Sequence, residues 1–221
     1  MEFSFPLVWD ILPRLLAATV VTLKATAAGF VLALLCGGVM VALMRMPSRL
    51  AARSARVVME FFRATPLLAQ LYFLFFVLPG VGIVLSPFAT GAIALGLHYG
   101  AYAAEAYRAG LESVPKGQWE AARSLNFSRW RTYLSVILPQ ALPPIIPSIG
   151  NIFIGMLKDT AVLSAVTVTE LMFVANEIGS ETFQYTEPVT MAAIIYLVLS
   201  LCATALVAVV DRRLRLGEAP A

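Results

Sequence analysis

Apolar residues in this chain gather into long runs parted by short polar stretches, and about 20 apolar residues carry a helix across a bilayer. The first run extends from Ile11 to Met44 with Lys24 inside it. It is longer than one crossing needs, so its opening turns are expected near the interface and the span proper covers 14–44. Lys24 then snorkels or faces a protein partner. Gly29, Ala33 and Gly37 recur four apart, which lets another helix approach closely. The second span is expected over 57–78, before the break Pro79-Gly80-Val81-Gly82, and the third over 86–107. The fourth, 145–166, is interrupted by Lys158-Asp159, whereas the fifth, 188–210, carries no charge and stops at Asp211-Arg212-Arg213. The pattern predicts an all-α membrane protein with about five transmembrane helices in a single domain, 1–221. No internal repeat is visible.

Composition agrees with a membrane solvent: 60% of residues are hydrophobic and 13% charged, with a mean hydropathy of +0.83. A soluble domain carries about 25% charged residues. The opening stretch MEFSFPLVWD has no basic residue before Arg14, unlike the positive start of a cleaved signal peptide, so the whole chain is read as mature protein.

The net charge of +3 is small but unevenly placed. Arg45, Arg49, Arg53, Arg56 and Arg63 follow the first span. Arg108, Lys116, Arg123, Arg129 and Arg131 follow the third, and Arg212, Arg213 and Arg215 follow the fifth. The stretch between the fourth and fifth spans has no basic residue and four acids, Glu170, Glu177, Glu181 and Glu187. Lys and Arg collect on the cytoplasmic side. The expectation is therefore a periplasmic N-terminus and a cytoplasmic C-terminus. The basic residues border apolar runs instead of forming a patch with interleaved aromatics, so nucleic acid is not an expected partner. Cys36 and Cys202 lie inside apolar runs without metal-ligand spacing, and neither metal nor cofactor is expected.

The stretch EAARSLNFSRWRTYLSVILPQ, Glu120 to Gln140, is basic and amphipathic. At helical spacing Trp119, Ala122 and Leu125 share one face. Asn126 suits the left-handed residue that ends a helix, and Ser128 can cap the next. Trp130, Tyr133, Leu134, Ile137 and Leu138 continue the helical rhythm until Pro139, which is expected to end or kink it. Physics alone leaves one reading open, a surface helix lying on anionic membrane lipid.

The residues also carry a resemblance. Glu120-Ala121-Ala122, with Val136-Ile137-Leu138-Pro139 at the matching distance, resembles the EAA loop of binding-protein-dependent ABC importer permeases. SVPKGQWEAA (Ser113 to Ala122), LPQALPP (Leu138 to Pro144) and LKDT (Leu157 to Thr160) are similar to the polar amino-acid permeases among them. FFRATPLLAQ (Phe61 to Gln70) and AYAAEAYRAG (Ala101 to Gly110) extend the likeness over most of the chain after the first span. Two departures stand out: Asn126 replaces a usual glycine, and Arg63-Ala64-Thr65-Pro66 replaces RGTP.

The resemblance implies a MetI-like type I ABC importer permease in the bacterial inner membrane. Its cytoplasmic loop, 112–139, would hold a coupling helix that sits in a cleft of an ATPase subunit. Gly117, Glu120, Ala121, Ala122, Asn126, Leu138 and Pro139 fall on that loop. The implied partners are two ATPase subunits, a sister permease or second copy of this chain, and a periplasmic solute-binding protein. ATP hydrolysis would lie outside this chain. LGLHYGAYAAEAYRAG, ARSLNF and IGSETFQYTEP most resemble permeases of ectoine and hydroxyectoine importers.

Lys158 and Asp159 lie within an apolar run, where an unpaired charge costs about 3 kcal/mol or more. Neighbours on a helix do not face each other. Either each has a protein partner, or both line a wet path suited to a zwitterion. Pro143, Pro144, Pro147 and Gly150 are expected to make this helix irregular, and Asp159-Thr160 to cap a second half-helix. His98, with Tyr99 and Tyr102 beside it, is either a packing residue or a solute contact. Glu105 and Arg108 are spaced to pair. An ion-coupled carrier is the alternative. An intramembrane enzyme finds no G-x-S-x-G, H-E-x-x-H or Walker A pattern to rest on.

Overall fold

A computed structural model describes residues 3–215, with side chains as far as Arg213; the side chain of Arg215 lies outside the described residues. Every regular element among them is helical. In chain order these are α1 (Phe5–Met44), α2 (Arg49–Ala64), α3 (Leu67–Tyr72), α4 (Pro87–Ser113), α5 (Lys116–Ser124), α6 (Arg129–Thr132), α7 (Leu138–Asp159), α8 (Leu171–Thr182) and α9 (Thr186–Arg215).

Helices α1 and α4 form the spine of the molecule, and small residues set their spacing. Ala33 of α1 is fully buried. A Cβ on Gly37 would lie 2.8 Å from Ala103 Cβ, 2.9 Å from the Ala104 nitrogen and 3.0 Å from the Gly100 oxygen. Two of those atoms are backbone and have no room to yield. Gly37→Val is expected to destabilise the protein by about 2–3 kcal/mol, the cost of forced overpacking. Gly38→Ala, with nothing within 4 Å of its added Cβ, is the control. Thermal unfolding in detergent compares the two, and equal midpoints would refute the spacing role.

The apolar run over 57–78 is not one straight helix. Residues 49–64 and 67–81 are bent by 105° at Thr65-Pro66. Proline disfavours helical geometry in the residue before it, and Thr65 is extended at φ −101°, ψ 141°. Hydropathy averages over such a bend and cannot register it.

Three helical stretches are long and apolar enough to cross a membrane: Phe5–Met44, Arg129–Val166 and Thr186–Arg213; the bent pair makes a fourth. Helix α4 has the length, at 27 residues. Glycines, His98 and tyrosines lower its apolar content, as befits a helix whose surface is mostly covered by protein. Lipid-facing positions are the greasiest, and Leu197, Leu201 and Leu206 on α9 are all exposed.

The fourth run corrects two expectations. Pro143, Pro144 and Pro147 lie inside a continuous α7, and Pro139 does not end the helix that begins at Arg129. A π turn over Tyr133–Ile137 widens the helix just before Pro139, where a proline ring would otherwise press on the carbonyl one turn back. Gln140 Nε2 donates to the Val136 carbonyl at 2.6 Å and Ser148 Oγ to the Pro144 carbonyl at 3.2 Å, adding side-chain donors along the proline stretch. The real interruption comes later. Thr160–Val166 tightens into a 3-10 turn and closes at Thr167, φ 62°. Asp159 ends α7 and makes no cap for the following turn.

Candidate coupling loop and solute path

Helix α5 is short because the chain reverses right after it. The amide of Asn126 donates to the Arg123 carbonyl at 2.9 Å and that of Phe127 to the Ala122 carbonyl at 3.0 Å, with Asn126 at φ 54°. This is the two-bond left-handed helix end that asparagine tolerates better than most residues. Ser128 Oγ then accepts from the Arg131 amide at 3.3 Å and starts α6.

The loop divides into an inner and an outer face. Ala122 is buried, and Trp119 meets Tyr133 edge-on at 5.3 Å. Arg45 lies over both rings, 5.3 Å from Trp119 and 5.9 Å from Tyr133. Glu120 and Ala121 face outward, as does Gly117, which has open space around it. Leu125 and Trp130 do not join the inner face; they are 67% and 73% exposed. The helix has already ended at Leu125, and the π turn rotates the apolar rhythm after Thr132, so that Ile137 is buried and Leu134 is not. Leu138 is half-buried and Pro139 exposed, both past the π turn at the start of α7. Gln140 reaches back to Gln118 at 3.4 Å.

At the other end of the core, α4 and α7 bring together part of the predicted path. Tyr99 donates to Asp159 Oδ2 at 2.7 Å. The rings of His98, Tyr99 and Tyr102 lie 5.3 to 6.0 Å apart. Lys158 points away, exposed, and no carboxylate among the described residues lies within 4 Å of it. Thr160 is elsewhere: fully buried, its hydroxyl donates to the Leu157 carbonyl at 2.6 Å and lies 3.4 Å from the Tyr196 hydroxyl.

Sequence reasoning missed Gln70 and Arg63. Gln70 Nε2 stands 3.1 Å from His98 Nδ1 and 2.7 Å from the Thr65 hydroxyl, while its Oε1 is buried without a partner. The signal was a lone amide in an apolar run. Arg63 lies 5.6 Å over the Tyr102 ring, a contact made possible by the bend at Thr65. Glu105 and Arg108 do pair, at 2.5 Å, with Glu112 as a second partner of Arg108 at 2.7 Å.

Residues 29–216 match the family described as the binding-protein-dependent transport system inner membrane component. The chain belongs to this family. A probable amino-acid ABC transporter permease of Sinorhizobium fredii is 48% identical over 95% of this chain and 90% of its own length. A putative glutamine transport system permease of Rickettsia bellii is 35% identical over 89% and 90%. A crystal structure of an amino acid ABC transporter superposes with a TM-score of 0.91 at 34% identity, covering 96% of this chain and all of that one. The two groups of residues lie apart in the fold: the Asp159 cluster joins α4 to the end of α7, and α5 follows the end of α4.

Proposed function

We propose that this membrane component is the permease of an ATP-driven importer for a polar amino acid or a similar zwitterion such as ectoine. The observation that carries the reading is the Tyr99–Asp159 hydrogen bond between two core helices, with His98, Tyr102 and Gln70 around it. Asp159 offers a second carboxylate oxygen to a cationic solute group. The named relatives transport amino acids or glutamine, which favours that class over ectoine. Thr160 acts through position, holding the end of α7. Five crossings, with the N-terminus periplasmic and the C-terminus cytoplasmic, fit the basic residues of α2, α5 and α6.

The outer face of α5 suits an ATPase cleft. Gly117 has no left-handed backbone and no close neighbour, so nothing within the chain requires a glycine there. A partner approaching closely does. Two ATPase subunits, a second permease and a periplasmic solute-binding protein complete the assembly. An ion-coupled carrier is less well supported, because it leaves α5 without a task.

Solute-stimulated ATP hydrolysis by the reconstituted complex tests the reading, comparing arginine, glutamine, histidine and ectoine. Stimulation by none of them, or uptake without an ATPase, would refute it. Asp159→Asn is expected to weaken apparent solute affinity about tenfold, the loss of one charge-assisted contact, with assembly intact. Unchanged transport kinetics would return Asp159 to a packing role.

A further inference from the structure

We propose that the cavity behind the coupling helix binds the phosphate of an anionic phospholipid. The cavity has a volume of about 970 Å³ and lies between the end of α1, the end of α4 and the α5–α6 loop. Arg45, Arg123 and Arg129 line it with Trp119, Phe127 and Tyr133, and no carboxylate is among the lining residues. No ion pair among the described residues involves any of the three arginines. Arg45 is held by its bond to the Tyr133 hydroxyl at 3.1 Å and by the ring of Trp119, which fixes a cation at the cavity wall. Three guanidinium groups without a counter-charge in a recess of this size call for a compact anion, and arginine matches phosphate geometry.

Two features select a lipid over free phosphate. The cavity opens where α1 ends at Met44, which is the cytoplasmic end of the first span in the orientation proposed above. Leu125, Trp130 and Leu134, within two residues of the lining residues Arg123, Arg129 and Tyr133 along the chain, are exposed apolar groups that suit acyl chains and the headgroup boundary. Basic pockets at cytoplasmic helix ends are a recurring way to hold anionic headgroups. The proposal deepens the coupling-loop reading, because a lipid seated here would brace α5 against α1 and make coupling depend on membrane composition. It takes the cytoplasmic leaflet from the orientation proposed above. Lipid retention in micelles does not depend on that orientation, so the two can fail separately.

The test is native mass spectrometry of the permease purified together with its ATPase subunits, after exposure to mixed micelles of phosphatidylglycerol and phosphatidylcholine. The wild type is expected to retain phosphatidylglycerol preferentially, and the Arg123→Gln/Arg129→Gln double variant to lose that preference by about 30-fold. Arg123→Lys/Arg129→Lys should keep most of it, and an unchanged melting temperature shows that the glutamine variant is folded. Equal retention by wild type and glutamine variant overturns the proposal. So does displacement of the lipid by millimolar inorganic phosphate, which would assign the pocket to a soluble anion. Loss of ATPase-subunit binding with lipid retention unchanged would assign the arginines to the ATPase and likewise overturn it.

Discussion

Glu120→Lys is expected to abolish solute-stimulated ATP hydrolysis and to reduce uptake by about 100-fold or more. Glu120 is exposed, no described residue donates a hydrogen bond to its carboxylate, and Ser124 Oγ donates to its backbone carbonyl at 3.1 Å. Removing it therefore costs the fold little. Reversal places a third cation among Lys116 and Arg123, at helical spacings where like charges cost about 0.5 kcal/mol at most. The large loss is expected at the proposed ATPase interface, because truncating one member of a desolvated charge pair costs about 2–5 kcal/mol. Each 1.4 kcal/mol is about tenfold in an equilibrium constant. Glu120→Gln should lose less than the lysine. The decisive measurement is the ratio of solute-stimulated to basal ATPase activity in proteoliposomes. A ratio equal to wild type in Glu120→Lys would remove this residue from the coupling contact.

That α5 has an outer face at all was legible in the sequence, and the reason is periodicity. Asn126 and Ser128 announce a helix end and a helix start by their own chemistry, without tertiary help. What periodicity could not show was the π turn at Tyr133–Ile137. One extra residue per turn rotates every later side chain, so Leu134 turns outward and Ile137 inward. Prolines misled for a related reason. Pro143, Pro144 and Pro147 each remove a backbone donor, yet α7 runs through them unbroken, and Gln140 and Ser148 add side-chain donors to the carbonyls of Val136 and Pro144 along the same stretch. Conversely, a single proline at 66 makes the sharpest bend, because the extended Thr65 is held by its own neighbours. Thr65 Oγ1 donates to the Phe61 carbonyl at 2.8 Å, and Gln70 Nε2 donates to the Thr65 carbonyl at 3.1 Å. Asp159 was legible as a charge in an apolar run; its partner Tyr99, 60 positions away, was not.

Glu170→Ala is expected to cost about 4 kcal/mol, a large share of the roughly 5–15 kcal/mol that holds a domain folded. Glu170 is fully buried at the start of α8, after the fourth apolar run and before α9. Its carboxylate caps α8, accepting from the amides of Phe173 at 2.7 Å and Met172 at 3.0 Å, and takes the Tyr196 hydroxyl at 2.5 Å. Burial pushes the carboxyl above its ordinary pKa, while these donors pull it back towards the charged form. Truncation leaves two helix-end amides and a tyrosine hydroxyl without their acceptor, each costing about 1–3 kcal/mol when buried. The consequence reaches the proposed solute path. Tyr196 lies 3.4 Å from the Thr160 hydroxyl, next to Asp159, and the Leu171 amide donates to Thr22 of α1 at 3.1 Å. One carboxylate thus ties α8 to α9 beside the end of α7, with α1 bonded at the adjoining residue. Thermal unfolding in detergent should show Glu170→Ala melting well below Tyr196→Phe, which removes only one of the three donors. If the two melt together at the wild-type temperature, the carboxylate is not what ties α8 to α9.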